Sequence, residues 1–149
     1  MKAVIQRVNH ASVTVDSRLI SEIGSGLLIL LGISPKDTSA DIQWLANKIA
    51  NLRIFNDDKG VMNKSLIDEN AEVIIVSQFT LLANTKKGNR PSYTGAAGPE
   101  LAIPLYEEFL SEFEQLLQKK VGAGIFGADM KIDLQNDGPV TIVIDTHNK

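Results

Sequence analysis

The chain has 149 residues, 44% of them hydrophobic and 22% charged, which suits one soluble globular domain spanning 1–149 with residues enough for a core. A formal net charge of −3 predicts no nonspecific polynucleotide binding by the molecule as a whole, so any nucleic-acid contact has to be local. Cysteine is absent, which removes disulfides, thiolate catalysis and cysteine metal sites.

The opening segment, Lys2 to Val8, reads as a strand with no basic-then-apolar leader. The longest apolar run, Leu27 to Leu31, is too short to cross a bilayer, so a cytoplasmic chain without a membrane partner is expected. Ser12 to Val15 alternates polar and apolar residues with period two, Asp16 and Ser17 suit a turn, and Leu19 to Ile23 makes the return strand. Gly24, Ser25 and Gly26 allow a second reversal. The continuous apolar run from Leu27 to Ile33 then predicts a strand buried on both faces. After Pro35, the Asp37 or Thr38 region caps a helix whose Ile42, Leu45, Ala46, Ile49 and Leu52 form an apolar stripe.

Glu72 to Val76 is a β-rich run that leads into Ser77, Gln78, Phe79 and Thr80, placing hydrogen-bonding side chains where a buried strand surfaces into a loop. The loop from Asn84 to Gly98 carries Lys86, Lys87 and Arg90 and is the best local candidate for a polynucleotide contact, although charges of this kind also serve simply to solvate a loop. A second helix follows, with Leu105, Phe109, Leu110, Phe113, Leu116 and Leu117 on one face. Pro104 is placed near its start and Gly122 and Gly124 at its end. The tail returns to strands at Met130 to Leu134 and Val140 to Ile144, with Asn136, Asp137, Gly138 and Pro139 as a polar turn at the opening of the last one. No linker, repeat or low-complexity segment divides the chain. The order of elements predicts an α+β fold, a curved, largely antiparallel, barrel-like sheet with two main helices packed outside it.

The inventory limits the chemistry. The two histidines, His10 beside the first turn and His147 near the terminus, do not fall in segments that look like a site, which argues against a Ser-His-Asp arrangement. The acidic residues Asp57, Asp58, Asp68 and Glu69 lie in turn-like sequence, so no metal and no cofactor is expected. An enzyme built from this chain works with hydroxyls, amides, backbone dipoles or groups of its substrate.

The segments SQFTLL (Ser77–Leu82), KKGNRPS (Lys86–Ser92), FGADM (Phe126–Met130) and NDGPVT (Asn136–Thr141), in this order and spacing, resemble the D-aminoacyl-tRNA deacylase family. The resemblance runs through the opening MKAVIQRV, the buried GLLILLGI and the stretch LANKIANLRIF. It implies a homodimeric hydrolase acting on the ester between a D-amino acid and the terminal adenosine of tRNA. It further implies that the Gly138–Pro139 bond is cis and that these residues reach into the site of the other subunit as a chirality filter. Backbone N–H groups around Phe79 and Thr80 are then the catalytic donors, Ser77, Gln78 and Phe126 hold the adenosine end, and Lys86, Lys87 and Arg90 contact tRNA. Two alternatives stay open on the residues alone: a noncatalytic RNA-binding module using the Lys86–Arg90 loop, and a small-molecule esterase with Thr80 as nucleophile.

Overall fold

The computed structural model describes all 149 residues. Strand β1 (Lys2–Val15) is the spine of the sheet, because it pairs antiparallel with three others: β2 (Arg18–Ile23), β3 (Gly26–Gly32) and the last strand, β8 (Met130–Asp145). Lys2 to Val8 and Ser12 to Val15, which read as separate strands, are one continuous strand. Beyond β3 the sheet continues in parallel through β6 (Glu72–Ser77) to the short β7 (Gly122–Ala123). The sheet is therefore largely antiparallel with a parallel edge, as a strand buried on both faces favours.

That double burial divides the apolar residues between two cores. Leu27, Ile29 and Leu31 of β3 and Val73 and Ile75 of β6 face the helices, while Leu28, Ile74 and Val76 face the inside of the curl together with Val8, Ala11 and Val13. Strand β1 serves both sides, with Ala3 and Ile5 on the helix side and Val8, Ala11 and Val13 on the other. The change of side coincides with register shifts between Gln6 and His10. A one-residue slip in a pleated strand reverses its faces, which is how one strand can line two cores.

The helix α1 (Ser39–Ala50) starts at Thr38, whose N–H donates to the Asp41 carboxylate at 3.0 Å. Asp37 does not cap; its buried carboxylate accepts from the Ser34 N–H at 2.7 Å and lies 2.7 Å from His147 Nε2. The helix ends before Leu52, which packs against the core from just beyond the last turn. A small hairpin, β4 (Phe55–Asn56) and β5 (Met62–Lys64), follows. Its turn is held by the Asp57 carboxylate, which accepts from the N–H groups of Lys59 at 2.9 Å and Val61 at 3.1 Å.

The helix α2 (Pro99–Leu117) begins earlier than its apolar stripe suggests, and Pro104 lies inside it rather than near its start. Pro99 takes the first helical position, where a missing N–H costs nothing, and Pro104 is tolerated further in because it is exposed. Gln118, in the left-handed conformation with φ 54°, ends this helix. Gly122 and Gly124 are not its terminators. Gly122 belongs to β7, where an added Cβ would meet Ile74 Cγ1 at 2.8 Å, so close strand approach requires glycine there.

Candidate active site

Strand β6 delivers the first wall of the site. Ser77 pairs with Leu31, and the Gln78 N–H donates to the Leu31 carbonyl at 2.7 Å, so the chain leaves the sheet beside the end of β3. It then winds into one 3₁₀ turn, Phe79–Leu82. The turn can lie this close because position 32 is glycine: a Cβ there would collide with Leu82 Cδ2 and stand 3.0 Å from the Gln78 carbonyl oxygen. Phe79 and Thr80 are its first two residues, and a 3₁₀ turn bonds back three residues, so their N–H groups have no acceptor within the turn itself.

Opposite this turn, the segment from Phe126 to Met130 forms the second wall of a mostly apolar cavity of about 300 Å³ floored by Leu31 and Val76. Ser77, Gln78, Phe79 and Phe126 all line it. Phe126 is braced from behind by Tyr106, with ring centroids 6.0 Å apart. Phe79 is 55% exposed and meets Tyr93 edge-on at 5.0 Å. Thr80 does not line the cavity. Its hydroxyl oxygen accepts from the Gln78 amide at 2.6 Å, an arrangement that orients the turn and offers the hydroxyl no base.

Neither histidine supplies one. His10 lies 3.3 Å from Asp133 on the sheet surface, and His147 is ordered by Asp37 rather than frayed. The same His147 nitrogen is 3.5 Å from Ser34 Oγ and 2.7 Å from Asp37, so the three cannot relay a proton as a triad, which uses both ring nitrogens.

The second polar segment is an excursion in β8 rather than a turn opening a strand. Val8 pairs with Asn136 and Gln6 with Thr141, so Asp137 to Val140 bulge out of the ladder. Asn136 ties the base of the bulge by accepting the Val140 N–H at 2.8 Å and donating to Thr141 Oγ1 at 2.9 Å. The Gly138–Pro139 bond is cis, and both residues are exposed. Gly138 has φ +124°, a conformation that suits glycine, and its missing Cβ leaves room for Val140 and for the Arg7 guanidinium.

Arg7 is the residue that sequence reading passed over. It is 5% exposed, donates from Nε to the Asp137 carbonyl at 3.2 Å, pairs with the Asp137 carboxylate at 3.0 Å and reaches the Ile54 carbonyl with Nη1. A signal was available, because Arg7 continues the buried parity of Ala3 and Ile5, and a guanidinium placed there needs fixed acceptors. Lys86, Lys87 and Arg90 form no ion pair; they stand on an exposed loop closed by the Asn84–Ser92 backbone bridge directly after the 3₁₀ turn.

A cavity walled by a 3₁₀ turn and the Phe126–Met130 segment, on a barrel-like sheet backed by two helices, agrees with one class of enzyme. The profile of the D-Tyr-tRNA(Tyr) deacylase family matches residues 4–145, and the chain belongs to this family of aminoacyl-tRNA ester hydrolases. It is 61% identical, over 100% of its own length and 99% of the relative's, to the D-aminoacyl-tRNA deacylase of Parabacteroides distasonis. A solved structure of the c-Myc DNA unwinding element binding protein superposes with a TM-score of 0.92 at 44% identity, covering 97% of this chain and 98% of that one. A probable eukaryotic D-amino acid tRNA deacylase shares the fold at 15% identity, with a TM-score of 0.84 over 96% and 97% of the two chains.

Proposed function

We propose that this protein hydrolyses the ester joining a D-amino acid to the terminal adenosine of tRNA, acting in the cytoplasm as a homodimer. The observation that carries the reading is the cavity itself: a mostly apolar pocket lined by Ser77, Gln78, Phe79 and Phe126 lies beside a 3₁₀ turn whose first two backbone N–H groups, on Phe79 and Thr80, have no acceptor in their own turn. N–H groups held in this way can polarise an ester carbonyl and stabilise the oxyanion that follows. Ser77 and Gln78 orient the adenosine, Phe126 packs against its base, and the substrate's ribose 2′-hydroxyl positions the attacking water. Lys86, Lys87 and Arg90 take the phosphates beyond.

The same reading makes Gly138 and Pro139 the chirality filter of the other subunit's site. Within one chain they are exposed and do not line the cavity, which favours a second copy as the place where they act. An apolar strip open to that copy lies on the face of the sheet away from the helices, where Val143, 67% exposed, stands in register with Val4, and Val4 with Leu30. An enzyme that accepts many D side chains cannot grip any one of them. Discrimination by 10⁴ needs about 5.5 kcal/mol, whereas one misplaced methylene in an apolar pocket is worth only ~1–3 kcal/mol. Backbone that collides with the Cβ of an L-amino acid can supply the difference.

Thr80 as a nucleophile is disfavoured by its bond to Gln78, and a purely RNA-binding role by membership of a hydrolase family. Deacylation of D- and L-tyrosyl-tRNA, measured side by side, tests the proposal: turnover of the D ester alone is expected, and equal turnover of both, or of neither, overturns it.

A further inference from the structure

Asp137 and Gly138 form an Asp-Gly pair, the sequence in which a side-chain carboxyl most readily cyclises onto the following amide, because glycine offers no Cβ to hinder the approach. The Gly138 nitrogen bonds to the Asp137 Cγ, and a carboxyl oxygen departs as water with the amide proton and one proton from solvent. Water then opens the resulting succinimide at either carbonyl. One opening restores aspartate; the other yields isoaspartate, whose main chain runs through Cβ and Cγ and is one carbon longer. Within one chain the Asp137 side chain is 42% exposed, and the pair lies in a bulge outside the β1–β8 ladder.

One interaction opposes ring closure. Arg7 Nε donates to the Asp137 carbonyl oxygen at 3.2 Å and pairs with its carboxylate Oδ2 at 3.0 Å, so one guanidinium nitrogen fixes the carbonyl and attracts the carboxylate. In a planar peptide the Gly138 nitrogen turns together with that carbonyl oxygen about the Asp137 Cα–C bond, so holding the oxygen holds the nitrogen as well. Closure requires rotation about the Asp137 Cα–C bond, and that rotation withdraws the carbonyl from Nε. The guanidinium cannot follow, because it is buried and also bonded to the Ile54 carbonyl.

We infer that Asp137–Gly138 is a site of spontaneous isoaspartate formation that Arg7 holds closed, so that release from Arg7, rather than age alone, converts residue 137. The modification stands independently of the proposed activity. Only its consequence rests on that reading, since an extra backbone carbon beside Gly138 would displace the filter.

The test is peptide mapping of isoaspartate at position 137 after prolonged incubation at neutral pH and physiological temperature. Native wild-type protein, wild-type protein in concentrated urea, and folded Arg7→Gln and Asn136→Ala variants are compared. A charge-assisted hydrogen bond that must break first slows closure by a factor of about ten to a hundred, so native wild type should lag the unfolded chain by about that much. Arg7→Gln should recover most of the unfolded rate. Asn136→Ala, which frees the base of the bulge but leaves Arg7 in place, should stay slow. If Arg7→Gln does not fold, Arg7→Lys replaces it, with an intermediate rate expected because an ammonium keeps the charge without the fixed fork. Equal rates in native and unfolded wild type, no acceleration in the folded Arg7 variant, or equal acceleration in Asn136→Ala would each overturn the inference. The D/L ratio of isomerised protein is read separately, so a failed activity model leaves the mapping result intact.

Discussion

Gln78 Nε2 donates to Thr80 Oγ1 at 2.6 Å, and an amide N–H that donates cannot take the hydroxyl's proton, so the group bonded to Thr80 is no base. Thr80→Val is therefore expected to retain turnover within about tenfold of wild type, whereas removal of a true nucleophile costs several orders of magnitude. Single-turnover deacylation of D-tyrosyl-tRNA measures this. A covalent ester trapped on Thr80 would reverse the assignment.

Gly32 is expected to control the position of the same turn. Gly32→Ala drives a Cβ into Leu82 Cδ2 and places it 3.0 Å from the Gln78 carbonyl oxygen and 3.1 Å from Leu81 Cβ. Leu82 can yield, but the backbone oxygen can move only with the turn. Overpacking of this kind costs roughly 1–3 kcal/mol. The variant should show a lower denaturant midpoint and a reduced turnover, and preservation of both would mean that Gly32 does not hold the turn.

Elements with a strong period were legible in the chain. The stripe of α1 and the run in β3 have one physical explanation each, and both fell where expected except at their ends, where Leu52 lies beyond α1 and Ile33 beyond β3. The hairpin β4–β5 was not legible, because strands of two and three residues carry too little pattern and are held by the Asp57 carboxylate rather than by apolar alternation. The start of α2 was missed because Pro104 looked like a boundary, while the real first turn is amphipathic only through Ala102. At the site, Ser77, Gln78 and Thr80 could be picked out as polar residues at a strand end, and Phe126 came only through the family resemblance. Partner choice in the sheet and the role of Arg7 depend on contacts 47 and 130 residues away, which local sequence cannot report.

Lys86, Lys87 and Arg90 are expected to act on binding and not on chemistry. They are exposed, unpaired and carried on a loop that leaves the 3₁₀ turn. Replacing all three by alanine should weaken tRNA binding and reduce the slope of log affinity against log salt by about 0.7–0.9 for each phosphate that is no longer neutralised. The rate at saturating substrate should change little. Unchanged affinity and slope would leave the loop a merely solvated one.

Tyr106 should make the fold sensitive to alkali. Its hydroxyl is buried and donates to the Ile75 carbonyl at 2.7 Å, and burial pushes its pKa up to about 12. An unfolded tyrosine ionises near 10, so between roughly pH 10 and 12 the unfolded chain sheds a proton that the folded one keeps, and stability falls by up to ~1.4 kcal/mol per pH unit. Below about pH 10 neither state ionises, and the effect is absent. Tyr106→Phe should remove this part of the alkaline loss. At neutral pH it should cost only about 0.5–1.5 kcal/mol, because the Gly124 N–H at 3.3 Å still serves the Ile75 carbonyl. Urea unfolding of both proteins across this range isolates the difference, and parallel curves would exclude Tyr106 as its source.

Glycine provides the sharpest examination of the chirality filter. A site that excludes L-amino acids because backbone beside Gly138 meets their Cβ has nothing to meet when the α-carbon carries only hydrogens. Glycyl-tRNA should therefore be hydrolysed, D-alanyl-tRNA should be hydrolysed, and L-alanyl-tRNA should resist. The side chain of L-alanine is a single methyl group, and selection by size over so small a group is worth only ~1–3 kcal/mol, too little for strong rejection. Steric exclusion at a fixed backbone has no such ceiling. Deacylation of the three esters under identical conditions decides between the mechanisms: if glycyl-tRNA resists as L-alanyl-tRNA does, the site must recognise a D side chain positively, and Gly138 and Pro139 would have to bind it rather than stand in the way of its mirror image.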